Sequence, residues 1–189
     1  MSSRPRSVVD LLGLVVLIGV LGLVAWRVLR AGGGDVPVPI GTPRPPLDVA
    51  GWLNLPDGET VEPDGQLLVV DCFATWCGPC RADLPRTALI AADYRRRGVQ
   101  FVSLTQETAD DIPRLETLIK DTPGFDWPVG YGAFAFMNEA NIRGIPTVIL
   151  FGRDGKALWS GYGSYGLERE LDAALAESSP AASSPAGED

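Results

Sequence analysis

The sequence Trp76-Cys77-Gly78-Pro79-Cys80 directly follows a short apolar stretch, residues 67–73, and predicts dithiol chemistry at the start of a helix. Two cysteines separated by two residues can close a disulfide there, because one helical turn brings both side chains to the same end. Free backbone N–H groups and the helix dipole at that end favour thiolate over thiol. We therefore expect an exposed, nucleophilic Cys77, and a less exposed Cys80 that resolves the mixed disulfide.

Around this motif, strand and helix signals alternate along the chain. Short β-branched apolar runs predict strands, and apolar residues at helical spacing predict helices. The predicted order is strand 67–73, helix 77–96, strand 99–105, helix 111–120, strand 125–129, helix 134–140, strand 147–151, a tight turn at 153–156, strand 157–160 and helix 166–176. This order indicates an α/β fold in which a mixed central sheet carries helices on both faces.

The N-terminal residues 1–30 contain an apolar run that predicts a transmembrane helix. Residues 11–26 are all apolar or glycine, and the run extends to residue 29 if the Arg27 side chain reaches the interface, which approaches the roughly 20 residues that span a bilayer. A cleaved signal peptide is the competing interpretation, although Leu29-Arg30-Ala31 fits a cleavage site poorly. Both interpretations place the remaining chain outside the cytoplasm.

Two more segments are predicted to lie outside the globular domain. Residues 31–47, rich in glycine and proline, predict a spacer that is part flexible and part extended. Residues 178–189 hold too few large apolar side chains to pack and predict a disordered tail. Residues 48–177 remain as one domain of ordinary size.

The composition excludes two classes of function. The segment from residue 48 onward has 11 Lys+Arg against 22 Asp+Glu, a net charge of about −11, so it should repel nucleic acid. Tetrahedral zinc needs four ligands, and the chain has three cysteines and no histidine. A copper-delivery module would also need a histidine. We therefore expect no metal and no cofactor.

Four features of the sequence resemble the thioredoxin family. Residues 76–80 match its active-site motif residue for residue, and Asp71 stands six positions before Cys77, as the family's buried acid does. Pro85 falls where the active-site helix of the family kinks, and Ile145-Pro146-Thr147 looks like its cis-proline loop. The resemblance covers about residues 48–177 and implies a thioredoxin fold.

A narrower resemblance is to the membrane-tethered TlpA/ResA-type thioredoxins. The pattern Cys80-x-x-Asp83-x-Pro85 is similar to theirs, and the long gap before Pro146 leaves room for a TlpA-like central insertion. This implies a bacterial oxidoreductase that exchanges its dithiol with protein disulfides on the outer face of the cytoplasmic membrane, held by a single pass. Many relatives are reductants. Implied partners are cytochrome c maturation components and a membrane electron donor such as a transmembrane thiol relay.

The residues around the dithiol have expected roles. Asp71 lies within an apolar strand, so burial should raise its pKa and make it a proton acceptor for Cys80, the alternative being an acid that reaches solvent. Gly78 and Pro79 tune the potential and resemble reducing thioredoxins. Trp76 is expected either to shield the disulfide and contact substrate or to cap the core.

Three further residues complete the predicted site. A cis bond before Pro146 would turn the backbone at Ile145 toward the dithiol, where it could pair with an extended substrate; an ordinary loop proline is the alternative. Asp83 either tunes the sulfurs or favours the helix dipole. Cys72 is expected in the core as a small hydrophobe.

Three alternatives to dithiol exchange remain open. A structural disulfide that closes so small a loop would stabilise little. A peroxiredoxin-like peroxidase would have a threonine three residues before its reactive cysteine, where this chain has Ala74, with Thr75 one position away. A non-catalytic peptide-binding module would keep the groove and need no thiols.

Overall fold

A six-stranded mixed sheet forms the centre of the fold. The computed structural model describes residues 36–56 and 58–177. Its elements, in chain order, are β1 (Gly51–Leu53), β2 (Leu68–Cys72), α1 (Gly78–Tyr94), β3 (Gln100–Leu104), α2 (Ile112–Asp121), β4 (Val129–Tyr131), α3 (Phe134–Glu139), β5 (Thr147–Phe151), β6 (Ala157–Gly161) and α4 (Leu167–Glu177). Short 3-10 turns at Arg95–Arg97 and Ala109–Asp111 follow α1 and precede α2.

The strand order places the cysteine motif at the middle of the sheet. The order is β1-β4-β3-β2-β5-β6, in which β2, β3 and β4 are parallel and the other neighbours are antiparallel. Because β2 lies between β3 and β5, its carboxyl end is flanked by the loops of both neighbours. The chain leaves β2 there and enters α1 after five residues.

Alternation along β2 separates two apolar cores. Val69 faces the core on which α1, α2 and α4 pack, whereas Leu68, Val70 and Cys72 face the core that includes α3. Since side chains on a strand alternate between faces, Asp71 lies on the α1 side of the sheet. All five residues of β2 are buried, so every one of them must be apolar or have a polar partner.

Most predicted elements are confirmed, and one strand lies elsewhere. Residues 125–129 were expected to form a strand, but the strand is Val129–Tyr131. Phe125 and Trp127 instead stack in the core, with ring centroids 4.4 Å apart. Their backbone carbonyls accept hydrogen bonds from the side-chain amide of Asn54 rather than from a neighbouring strand.

The edge strand β1 has no counterpart in the predicted order. It has only three half-buried residues, too few to show an alternating pattern. An added Cβ at Gly51 would lie 2.3 Å from the hydroxyl of Tyr131 on β4, so a side chain there would displace the end of the tyrosine. These three residues are therefore identified as a strand by their antiparallel pairing with β4, in which Gly51 lies opposite Tyr131, and not by side-chain periodicity.

The described part of the predicted spacer lies on the domain. Val38 is fully buried, and its N–H and C=O both pair with the Ser160 hydroxyl, at 2.9 and 2.7 Å. Farther along, Gly41 N–H donates to Ala157 C=O at 2.8 Å and Pro43 forms a β-bridge with Lys156. A segment without apolar periodicity is thus held by one buried side chain and by backbone bonds, which also cover the open edge of the sheet.

Residues 1–35 and 178–189, which include the predicted anchor and tail, lie outside the described residues. Within the described ranges, no helix is both long and apolar enough to cross a membrane.

Candidate active site

The start of α1 brings the two sulfurs together. Cys77 is the N-cap residue, with an extended backbone, and its Sγ accepts a hydrogen bond from Cys80 N–H at 3.2 Å. Pro79 occupies the first turn, where its missing N–H leaves no bond unmade. Cys77 and Cys80 form a disulfide, with Cα atoms 5.3 Å apart. An added Cβ on Gly78 would meet no atom within 4 Å, so the motif opens outward at that residue.

Both cysteines are buried in the disulfide form. Their exposed fractions are 5% for Cys77 and 2% for Cys80, so the expectation of an exposed Cys77 is wrong for the disulfide form. Cys80 is the less exposed of the two cysteines, as expected. The disulfide packs into the α1-side core, which covers the sulfurs. By contrast Trp76 is 75% exposed and is therefore too far out to cap the core.

Asp71 is buried on the α1 side of β2, with an exposed fraction of 4%. The Ser103 hydroxyl donates to its Oδ2 at 3.3 Å, and Trp127 Nε1 in turn donates to that hydroxyl at 2.9 Å. Burial is the main cause that raises the pKa of Asp71 to about 7; the charge of Asp83 adds to the rise and the Ser103 bond opposes it. The solvent-reaching alternative is therefore wrong, and the carboxyl can exchange a proton near neutral pH.

Asp83 ties α1 to the loop between β6 and α4. Its carboxylate accepts hydrogen bonds from the backbone N–H of Ser164 at 2.7 Å and from the Ser164 hydroxyl at 2.9 Å. Gly163, with φ of 87°, passes so close that an added Cβ would lie 3.2 Å from the carboxylate. Neither predicted role includes this contact, which the structure adds. The charge of Asp83 also adds to the rise in the pKa of Asp71.

The proline loop lies beside the motif and has the predicted geometry. The Ile145–Pro146 peptide bond is cis. Thr147 closes the loop, since its hydroxyl donates to Gly144 C=O at 2.7 Å. Ile145 is half-buried and packs against both cores, which fixes the loop at the end of the sheet.

Two grooves meet at Trp76. The proline-loop groove, about 460 Å³, is lined by Phe73, Ala74, Trp76, Thr105, Gln106, Glu107, Met137, Ile142, Arg143, Gly144 and Ile145. The α2 groove, about 570 Å³, is lined by Thr75, Trp76, Arg81, Pro113, Arg114, Thr117, Leu118 and Asp121. An extended chain lying across Trp76 would therefore pass through both grooves next to the disulfide.

Glu107 is a site residue that the sequence reasoning missed. It is buried, and its carboxylate accepts from Thr75 N–H at 2.9 Å, from the Thr75 hydroxyl and from the Thr105 hydroxyl at 3.1 Å. It thereby holds the loop that leads into Cys77. The available signal was its place just past the carboxyl end of β3, the strand paired in parallel with β2.

Cys72 lies apart from the disulfide, as expected. It is fully buried, faces the α3-side core and is not bonded to another cysteine. Burial, and secondarily the charge of Asp71, raise the pKa of its thiol. Because the thiolate is the reactive form, Cys72 is inert.

Comparison with known proteins gives one consistent family. The model of the family described as thioredoxin matches residues 58–125. Thioredoxin from Echinococcus granulosus is 34% identical over 106 residues, which is 51% of this chain and 94% of that protein. Thiol-disulfide oxidoreductase ResA from Oceanobacillus iheyensis is 33% identical over 42 residues, 22% of each chain. The chain spans 59–67% of the length of three other thioredoxins that it matches.

Among solved structures, a crystal structure assigned as a thiol:disulfide interchange protein DsbE from Chlorobium tepidum is similar over most of the chain. Its TM-score is 0.60 at 25% identity, and the match covers 73% of this chain and 99% of that one. The structural similarity therefore covers a larger share of the chain than residues 58–125.

The raised pKa of Asp71 predicts a pH-dependent stability. The carboxyl has a pKa of about 7 in the folded chain and about 3.9 in the unfolded chain, so between these pH values the folded state holds more protons. Its contribution to the free energy of unfolding is therefore complete below pH 4 and is lost as the pH rises through 7. The loss is roughly 4 kcal/mol. In urea unfolding of the disulfide form, Asp71→Asn should therefore gain stability relative to wild type between pH 4 and 8.

Asp110→Asn, at an exposed acid, is the matched control and should follow the wild-type pH profile. If the free energy of unfolding of Asp71→Asn changed with pH in parallel with that of the wild type, the assignment of a neutral buried carboxyl below pH 7 would be contradicted.

Proposed function

The chain belongs to the thioredoxin family of thiol-disulfide oxidoreductases, and on that premise we propose that it is a membrane-tethered reductase of protein disulfides. The observation that carries the proposal is the Cys77–Cys80 disulfide at the amino end of α1, with a carboxyl of pKa about 7 on the β2 face beneath that helix. The exposed Trp76, flanked by a groove on each side, supports a polypeptide substrate.

In the proposed first step the Cys77 thiolate attacks one sulfur of the substrate disulfide. A new bond forms between Cys77 and that sulfur, the substrate disulfide breaks, and the other substrate sulfur leaves as a thiolate. Cys80 N–H, which lies 3.2 Å from Cys77 Sγ, and the amino end of α1 stabilise the attacking thiolate. The cis Ile145–Pro146 loop would hold the substrate as an added strand.

In the second step Cys80 attacks Cys77 Sγ and releases the reduced substrate. The Cys80 thiol must first lose its proton inside the core, where Cys80 is only 2% exposed in the disulfide form. Asp71, with a pKa of about 7, is the proposed acceptor, because it can be ionised before the step and protonated after it. Two electrons pass to the substrate, the Cys77–Cys80 disulfide re-forms, and a membrane thiol relay would reduce it again.

Charge near the dithiol supports the reducing direction. A dithiol becomes a stronger oxidant as its thiolate is stabilised. Here Asp71 lies on the β2 face against which α1 packs, and Asp83 lies one turn after Cys80, so negative charge opposes the thiolate. The Gly78-Pro79 pair agrees with this direction by its resemblance to reducing thioredoxins.

The peroxidase alternative finds no support in the geometry. The Thr75 hydroxyl donates to the buried carboxylate of Glu107, so it is engaged away from the peroxide-binding role that this alternative requires. The proposed function therefore assigns Thr75 to holding the loop before Cys77.

The first test is capture of protein substrates. In Cys80→Ser the second step cannot occur, so mixed disulfides through Cys77 should accumulate in cells and disappear on treatment with a reductant. The double variant Cys77→Ser with Cys80→Ser is the control and should capture nothing. If Cys80→Ser captures no more protein than this control, a protein substrate is contradicted; if Cys77→Ser supports full activity in cells, a non-catalytic binding module is favoured.

The second test is the reduction potential. Equilibration of the purified protein with a glutathione or dithiothreitol buffer should give a value near the roughly −270 mV of thioredoxin, because the neighbouring acids destabilise the thiolate. Asp83→Asn removes one of these charges and should raise the potential, making the protein more oxidising. A wild-type value near −120 mV, as for strong oxidants, would contradict the reducing direction.

The third test concerns the membrane anchor. The full chain, expressed in a bacterium, should stay with membranes through carbonate extraction, and protease added to spheroplasts should digest its catalytic domain. Replacing Leu17 and Ile18 by arginine at the centre of the apolar run should abolish membrane retention, since each charge costs about 3 kcal/mol there. A shortened, soluble exported product would instead favour signal-peptide cleavage.

A further inference from the structure

Cations without an ion pair are concentrated around Trp76. Most lysines and arginines in residues 36–56 and 58–177 lie within 4 Å of a carboxylate. Across these same ranges, Arg81, Lys120 and Arg143 form no such pair. Two of these three, Arg81 and Arg143, line the grooves beside the disulfide.

The two arginines lie on opposite sides of Trp76. Arg143 lines the proline-loop groove and precedes Ile145 by two residues, whereas Arg81 directly follows Cys80 and lines the α2 groove. Both side chains are exposed, and Trp76 lines both grooves. A segment that presents its cysteine to Cys77 across Trp76 therefore passes one unpaired arginine on each side.

The acids that line the grooves do not form ion pairs with Arg81 or Arg143 in the described structure. Glu107 lines the proline-loop groove, but its carboxylate is occupied by the hydrogen bonds from Thr75 and Thr105. In the α2 groove Arg114 pairs with Asp111, and Asp121 forms no ion pair with Arg81 in the described structure. At physiological ionic strength the rest of this acidic domain is largely screened beyond about 8 Å, so contacts within the grooves dominate.

We propose that Arg143 and Arg81 select substrate segments that carry Asp or Glu on both sides of the reactive cysteine. A guanidinium binds a carboxylate through two parallel hydrogen bonds, which fixes position as well as charge. The inference rests on the proposed reductase function, since it names the class of disulfide that is reduced. The arginines take no part in bond making; they hold the segment while two electrons pass from the dithiol to its disulfide.

The test compares cyclic disulfide peptides that differ only beside one cysteine. The residues on both sides of that cysteine are Glu, Gln or Lys, and two further peptides carry Glu on one side only. Rate constants are measured with the reduced full chain in detergent at about 0.15 M salt, where the rest of the acidic domain is screened. Rates should follow Glu, then Gln, then Lys, with about a two- to fivefold gain for each Glu, as for exposed ion pairs, and the differences should shrink in 0.5 M salt.

Single variants assign each groove. Arg143→Glu should remove the gain from Glu on one side of the cysteine, Arg81→Glu the gain from the other side, and the double variant should prefer the Lys peptide. Ratios between peptides within one variant cancel any general change in reactivity. Lys120→Glu makes the same charge change at an unpaired cation outside both grooves and should keep the wild-type order.

The outcomes separate this inference from the proposed function. Equal rates with all peptides, or a Lys120→Glu effect as large as that of the arginine variants, would overturn the acidic specificity and leave the reductase function standing. Absence of reaction with every peptide and with an uncharged small disulfide would overturn both.

Discussion

The junction between β2 and α1 is the constraint on which the rest of the site depends. Because β2 is buried in the middle of the sheet and runs directly into the helix, Cys77 and Cys80 lie at the amino end of α1, and Asp71 lies on the face that this helix covers. The first turn of α1 thereby carries a sulfur that caps the helix and a closed disulfide, and the carboxyl of Asp71 lies on the strand that this helix covers. The position of the dithiol is therefore set by the carboxyl end of β2.

Burying Asp71 has a cost and a use. An ionised carboxylate in an apolar core destabilises the fold, and the single hydrogen bond from Ser103, itself supported by Trp127, offsets only part of that cost. The pKa rises to about 7 as a result. A group that is half ionised near neutral pH is suited to accepting and returning a proton, so the same desolvation that weakens the fold prepares the proposed step at Cys80.

Two other acids accept hydrogen bonds that hold the loops around the dithiol in place. Glu107 holds the backbone and hydroxyl of Thr75, and Asp83 holds the backbone and hydroxyl of Ser164. Each carboxylate therefore satisfies buried donors and fixes one loop relative to α1. Glu107 is engaged by hydrogen bonds, and most lysines and arginines of the described residues form ion pairs. Arg81 and Arg143 therefore remain as unpaired charges in the two grooves beside Trp76, where the proposed recognition of acidic segments would occur.

Local patterns in the sequence determined the motif at the start of α1, the order of nearly all strands and helices, and the burial of Asp71 and Cys72, whereas the cis bond before Pro146 was implied by the resemblance to the thioredoxin family. These features depend on neighbours within a few residues or on simple alternation. The partners of Asp83 and Glu107, the burial of Cys77, the anchoring of Val38 by Ser160 and the position of β4 were decided only by the tertiary structure. Thr75 and Glu107 are 32 residues apart and Asp83 and Ser164 are 81 apart, so their contacts exist only once the sheet order brings distant loops to one edge.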